Sequence, residues 1–559
     1  MHCIASGFRL SGHYLIEKVI SMPINKTINK TTIHRSHLMG VFVILLLLLV
    51  HGCASLPTGY TSTPSYAMTD TQQTQLAQKI ASPVARHPGK SGFYPLSSGM
   101  EAFVARVALI ASAERSLDLQ YYIWHTDTTG RLLVDQILLA ADRGVRIRLL
   151  LDDLDTEGKD RGMSMLDYHP NIEIRLYNAF AHRGSRAVGF ATDLARVNHR
   201  MHNKSLTADN EVTIVGGRNI GNEYFGATSH AEFSDLDVLA MGPVVKDVSN
   251  MFDLYWNSDV VIPLSAFPTE EPVTKTAFDR ARIEFSKAVK EEKADPYLQA
   301  IRESDTLTRL QFKNMTFSWG RADLLYDAPD KVTATEVSAA THLAPKLRAF
   351  INKARQEVII VSPYFVPGDK LVEYLGMLVD RGVRIRILTN SLAANDVGVV
   401  HAGYMRYREA LLRHGIELYE FKPLHDEKQK NKKWTGSSNA SLHAKTFGID
   451  RQLIFVGSFN LDPRSIALNT ELGVLFESPE LAIALAEVLD KDVVQKAYRL
   501  ELKTLPANDD EQRDFDEFAI QWIAQQDGKT IRYEAEPNTS WWQRFMAGFL
   551  SIFVIESFL

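Results

Sequence analysis

One pattern of apolar and polar positions occurs twice along the chain. In its first occurrence, residues 117–124 (LDLQYYIW) read as a strand. Residues 130–141 then carry apolar side chains at helical spacing, and 145–151 read as a strand again. In its second, residues 357–366, 370–378 and 383–389 repeat the order strand, helix, strand. The heptapeptide DRGVRIR stands at 142–148 and again at 380–386. In each copy the glycine follows a helix just past its C-terminus, and the strand begins at once. Such alternation predicts a mixed α/β sheet flanked by helices in each half. Internal duplication predicts that the halves pack about a pseudo-two-fold axis.

Two further apolar runs, KTFGI at 445–449 and LIFVGSF at 453–459, predict a hairpin whose polar turn is Asp450-Arg451. Side chains two apart on a strand share a face. His443 and Lys445 therefore share one, as do Ser458 and Asn460. An imidazole, an ammonium, a hydroxyl and an amide converging on one spot suit a phosphate, whose oxygens the cation and amide hold. The imidazole can attack phosphorus or move a proton near neutral pH. With Asp450 the spacing is H-x-K-x4-D, followed by G-S-x-N from Gly457. The same pattern stands earlier as His202, Lys204 and Asp209, followed by Gly216, Gly217 and Asn219. Gly217 replaces the serine, so the first copy lacks that hydroxyl. One H-x-K-x4-D arises easily by chance, as core histidines beside snorkelling lysines. Two copies with the same glycine–asparagine tail at the same offset are specific.

These residues resemble the phospholipase D superfamily, marked by two such HKD motifs. The stretches QYYIWHTDTTGRLL, NHRMHNKS, VGGRNIGNEYF, FSDLDVLAMGPVV, LTNSLAANDVGVVHAGY and GSFNLDPRS are similar to its bacterial cardiolipin synthase C subgroup. The resemblance runs from about residue 93 to the C-terminus. It implies two pseudo-symmetric phospholipase D-like domains with the active site at their interface. It also implies metal-free transfer of a phosphatidyl group between membrane phospholipids, without a cofactor. Phosphatidylglycerol is the implied acceptor and phosphatidylethanolamine the implied donor. In that scheme one histidine, His202 by family inference, attacks phosphorus, and His443 acts as acid and base. An imidazole nucleophile also needs an orienting carboxylate. Glu471 fits this role after the second motif, and Asp235 or Asp237 is the counterpart after the first. Asp209 and Asp450, though part of the motif, are expected to form structural ion pairs. The rivals are a hydrolase releasing phosphatidic acid, a nuclease, and a non-catalytic surface lipoprotein.

The organisation expected is a signal segment (1–53), a tether (54–92), a first domain (93–262), a helical connector (263–335), a second domain (336–500) and a C-terminal extension (501–559). The chain has 559 residues, enough for two cores, and a net charge of −5, which argues against a dedicated nucleic-acid binder. Its two cysteines, Cys3 and Cys53, exclude a disulfide or zinc framework. Lys26, Lys30 and Arg35 precede a short apolar run, 38–50, that ends in His51-Gly52-Cys53-Ala54. That order reads as a secretory signal, with Cys53 as a lipidation site and Met22 as a plausible start. Ala54 is not an inner-membrane retention Asp, so a membrane-anchored envelope lipoprotein is expected, in the outer membrane if the cell has one. The tether is Ser/Thr/Pro-rich, with one short helix expected at 71–81. Residues 277–293 read as a charged, solvated helix. The Asp327-x-Pro329-x-Lys331 cluster fits a turn. Lys428, Lys430, Lys432 and Lys433 form a basic loop suited to anionic lipid. The last twenty residues, opening with Trp541 and Trp542, are too short to span a membrane but suit its interface. Because one chain holds both motifs, a monomer suffices for chemistry.

Overall fold

Two large mixed sheets organise the protein, one per repeat. The structure is a computed structural model and describes residues 55–553 apart from 228–231, 270, 293–295, 335, 396, 424–439, 505–517 and 527. Cys53 and the basic loop at Lys428–Lys433 lie outside the described residues.

The first sheet has nine strands. Its centre is the parallel set Ser116–Tyr121, Arg146–Asp152 and Ile172–Tyr177. The hairpin Ser205–Ala208 and Val212–Gly216 joins antiparallel beside it. The second sheet has ten strands and the same plan. There Glu357–Val361, Arg384–Asn390 and Glu417–Phe421 run parallel, and the hairpin Lys445–Ile449 and Leu453–Gly457 lies alongside. The two copies of DRGVRIR feed equivalent central strands. Gly144 and Gly382 have φ of 92° and 87°, a left-handed backbone that favours glycine directly after a helix.

The sheets meet face to face in a shared core. Phe93, Val215, Val238 and Ala240 of the first half pack with Ile454, Val456, Leu472, Val474 and Phe476 of the second. Phe93 stacks on Phe476 with ring centroids 3.9 Å apart. Strand Ser318–Gly320 still belongs to the first sheet and Ala322–Tyr326 to the second, so the chain changes sheets at Arg321. At its far end the second sheet is extended by Ala497–Thr504, Phe518–Gln526 and Lys529–Tyr533.

Three segments differ from the sequence reading. The tether helix covers Gln75–Ala85 because Thr74 caps it, accepting a hydrogen bond from the Ala77 N–H at 3.2 Å. The segment before that helix is bound to the first domain. Arg148 donates to the Ser65 carbonyl, Arg175 donates to that of Thr63, and Asp253 accepts from the Ala67 N–H. The connector helix Lys275–Glu292 is not wholly solvated: Phe278, Ala281 and Phe285 line a cavity. Among the described residues no helix is long and apolar enough to cross a membrane.

Candidate active site

Each motif histidine sits just before its hairpin and is held by the opposite half. The His202 N–H donates to the Thr470 carbonyl at 2.8 Å, and the His443 N–H donates to that of Ser234 at 2.8 Å. The carboxylates that follow those two carbonyls take the rings. His202 Nδ1 lies 2.8 Å from Glu471 Oε2, and His443 Nδ1 lies 2.5 Å from Asp235 Oδ2. Strands Glu232–Ser234 and Ala440–Leu442 pair in parallel across the interface, and Met201 bridges to Thr470 in the equivalent place. A carboxylate on Nδ1 fixes that nitrogen as an N–H and makes Nε2 the ring atom available for chemistry at His202.

All four ring and carboxylate partners are buried. Burial, then the Lys204 and Lys445 ammonium groups, hold His202 well below the ordinary histidine range. Burial and Lys445, opposed by Asp235, bring His443 down to about 4. The carboxylates diverge. Burial pushes Glu471 up to about 7, against the pull of Lys204 and a hydrogen bond from Ser458. Burial also acts on Asp235, but His443, Lys445 and Arg218 outweigh it and hold Asp235 well below the usual carboxylate range. Lys204 and Lys445 each turn Nζ back to the carbonyl of the motif histidine two residues earlier. Burial holds Lys204 well below its ordinary value.

Most of the other motif residues are engaged within the protein. Asn460 is buried and its Oδ1 has no hydrogen-bond partner. Asn219, which the motif suggests for holding phosphate oxygens with Asn460, is engaged within the protein. Its Oδ1 accepts from the Ile123 N–H and its Nδ2 donates to the Tyr224 hydroxyl. Tyr224 in turn packs edge-on against His443, with centroids 5.4 Å apart. Ser458 is spent on Glu471, to which its hydroxyl donates, rather than on substrate. Gly217 stands in the equivalent place because a Cβ there would lie 2.2 Å from Asp235 Oδ1. The shorter aspartate thus comes with a bare backbone, the longer glutamate with a serine.

Asp237 does not reach a histidine. It is locked between two buried guanidinium groups, 2.9 Å from Arg106 and 3.3 Å from Arg218. Asp209 and Asp450 stand away from the rings and accept backbone N–H groups instead of forming the expected ion pairs. Asp209 takes those of Glu114, Arg115 and Ser116, and Asp450 those of Arg355, Gln356 and Glu357. Both occupy tight turns at positive φ, 53° and 52°, which a short polar side chain tolerates. Each therefore anchors the start of a central strand to the hairpin. Asp450→Ala is expected to cost about 2–4 kcal/mol, as hydrogen bonds to a charged group are lost. A lower melting temperature with unchanged kcat in the folded fraction checks this.

Several positioning residues escaped the sequence reading. Asp152 Oδ2 accepts the N–H of Met201, and Asn390 Oδ1 that of Leu442, so each fixes the residue before a motif histidine. Both end the strand that DRGVRIR begins, and aligning the two repeats would have shown them. Tyr122 packs edge-on to His202 at 5.1 Å. The buried Asp327, read as part of a turn, accepts the Glu471 N–H at 2.7 Å and pairs with Lys331 at 3.1 Å. Among the described residues, His125, Asp127 and Glu223 are the one group close enough to share a metal. The fit is poor: Asp127 already accepts the Gly130 and Asn222 N–H groups, and Glu223 bonds His125.

Two histidines on duplicated hairpins, each backed by the carboxylate of the other half, define a phospholipase D-type phosphodiester-exchange site. Comparison with known proteins agrees. The family described as cardiolipin synthase, PLD-like domain, matches at residues 107–256 and again at 347–493. Cardiolipin synthase C of Escherichia coli (strain K12) is 44% identical over 487 residues, which cover 86% of this chain and 99% of that protein. An uncharacterized protein of Helicobacter pylori (strain ATCC 700392 / 26695) is 31% identical, with 91% of this chain and 98% of that protein covered. The crystal structure of phosphatidylserine synthase from Haemophilus influenzae Rd KW20 shares the fold. Its TM-score is 0.50 at 15% identity, over 76% of this chain and 91% of that one. The chain belongs to the cardiolipin synthase family of PLD-like enzymes.

Proposed function

We propose that this protein makes cardiolipin by moving a phosphatidyl group from one phospholipid to the free hydroxyl of phosphatidylglycerol. The observation that carries this reading is the crossed pair of histidine–carboxylate contacts in a chain so similar to a cardiolipin synthase. His202 Nε2 attacks phosphorus and the P–O bond to the donor headgroup breaks. His443, carrying a second proton on Nε2 as the imidazolium, gives that proton to the departing alcohol, then takes one from the acceptor hydroxyl, whose oxygen displaces His202. The divergence of the carboxylates supports this division of labour. Asp235, kept ionised, stabilises the imidazolium that an acid–base catalyst must form. Lys204, Lys445 and Asn460 supply cation and amide for the non-bridging oxygens as charge builds. Phosphatidylethanolamine is the donor we favour.

The test is thin-layer chromatography of lipids from cells that lack their own cardiolipin synthesis. Cardiolipin is expected with wild type and not with His202→Ala. Phosphatidic acid alone would mean that water resolves the intermediate, and no change in either lipid would sink the reading.

We further propose attachment to the cell envelope through an acylated Cys53, on the strength of the signal-like sequence before it. The C-terminal helix Trp541–Phe553 supports a second contact with the membrane. Ser540 and Gln543 cap it reciprocally, and Ala547 is buried. Trp541, Trp542, Phe545 and Phe549 remain exposed, stacked in one ridge. Interfacial aromatics favour the headgroup layer. Trp541→Ala with Trp542→Ala is expected to lower sedimentation of a Cys53-free protein with anionic vesicles about tenfold, while leaving the melting temperature in place.

A further inference from the structure

The geometry points to an acyl-chain pocket beside the nucleophilic histidine, roofed by the connector helix: the cavity under Lys275–Glu292 takes one fatty chain of the phospholipid whose phosphate sits at His202. The inference rests on the function proposed above and adds where that substrate's hydrocarbon goes.

The cavity has a volume of about 420 Å³, within the range of roughly 300–1,000 Å³ usual for small-molecule pockets. Its walls come mainly from four helices and strands, with Ile174 added by strand Ile172–Tyr177. Helix Thr128–Asp142 gives Val134 and Leu138, strand Arg146–Asp152 gives Leu149, helix Asp160–Asp167 gives Met163, and the connector helix gives Ala281 and Phe285. One end lies close to the active site, although no motif residue lines it. Tyr122 and Asp152 line the cavity, and these are the residues that pack on the His202 ring and fix the N–H just before it.

Most of the polar groups along the walls are already paired, with Nη1 of Arg282 left over. Lys159 bonds Asp155 at 2.6 Å and the Trp124 carbonyl at 2.9 Å. Arg131 pairs with Glu292 and Arg282 with Asp142. The walls are otherwise apolar or satisfied, and a phospholipid held at His202 has two chains to remove from water. Each methylene so buried is worth about fourfold in affinity. The connector helix shows the same division. Phe278, Ala281 and Phe285 recur at helical spacing on the cavity side, and Ile283 between them is 72% exposed.

The test uses the full-length protein in vesicles of phosphatidylethanolamine and phosphatidylglycerol that carry a diazirine midway along one acyl chain. Irradiation is followed by mass spectrometry of the labelled peptides. Label is expected within 134–138, 163–166 and 278–285. Ala281→Trp, which fills the cavity from its roof, should lower that label about 15-fold, as room for about two methylenes is lost. Ile283→Trp, on the exposed side of the same helix, should leave it unchanged. Gly162→Leu is the second variant. It also borders the cavity, and a Cβ there meets no atom within 4 Å, so the fold accepts it. A drop with either variant supports the pocket. Label confined to the C-terminal helix, or cavity label unmoved by both variants, overturns it. Labelling reports binding and not turnover, so failure of the transferase reading shows separately, in the lipid chromatogram.

Discussion

His202→Ala lowers phosphatidyl transfer by about 10⁴-fold or more, whereas His443→Ala leaves a protein that still takes up the phosphatidyl group and then stalls. The difference follows from which proton each step needs. Attack requires only the Nε2 lone pair of His202, and burial keeps that ring neutral. Departure of an ordinary alcohol requires a proton, which His443 supplies. A donor esterified to nitrophenol needs no such help, because nitrophenolate leaves as the anion. With that donor, labelled at phosphorus, His443→Ala should accumulate radioactive protein that is stable to base and labile to acid, as a phosphorus–nitrogen bond is. His202→Ala should accumulate none. The covalent scheme is wrong if neither wild type nor His443→Ala retains label. It is right but with the roles exchanged if His202→Ala is the variant that labels.

The duplication was readable in the chain because each part of it is local. The period-two alternation, the glycine after the helix and the motif spacing all lie within a few turns of backbone. The two sheets therefore came out as expected. What the chain concealed is how the halves exchange parts. Glu471 follows His443 in sequence, yet it bonds His202, and Asp235 bonds His443. Only the packing of one sheet on the other decides that. Asp235 and Asp237 were likewise indistinguishable, being two residues apart. The choice falls to Arg106 and Arg218, which claim Asp237. Arg106 stands far away in the chain, so no local pattern reveals it.

Two other readings went astray for a different reason: the signal was present and outweighed. The connector helix is rich in charge, which suggested a solvated face, but Phe278, Ala281, Phe285 and the buried Val289 already trace an apolar stripe. The motif aspartates suggested ion pairs because a charge is expected to seek a charge. At a left-handed turn the nearest donors are instead the backbone N–H groups of the adjoining strand. In both cases the shape of the backbone, more than side-chain type, settles the partner.

The crossed carboxylates give the second large effect. Asp235→Asn is expected to reduce kcat/KM by about 10²–10⁴-fold, the range seen when the orienting carboxylate of a catalytic histidine is made neutral. Its pH dependence carries the diagnosis. In wild type, burial and Lys445 hold His443 down at about 4 and Asp235 opposes them. Removing that negative charge lowers the ring's affinity for a proton further. Any limb of the kcat/KM profile that reports protonated His443 therefore moves to lower pH, and the loss is greatest at the alkaline end. Asp237→Asn is the control. It leaves two buried guanidinium groups short of a counter-charge and costs about 3–5 kcal/mol of stability. It touches neither histidine, so the profile of its folded fraction keeps the wild-type shape. Equal shifts in both variants would mean that Asp235 acts through the fold alone. A shift in Asp235→Asn alone would show that each half of the protein tunes the chemistry of the other. That dependence gives a physical reason for two duplicated domains to remain on one chain: neither histidine has its carboxylate until the halves have docked.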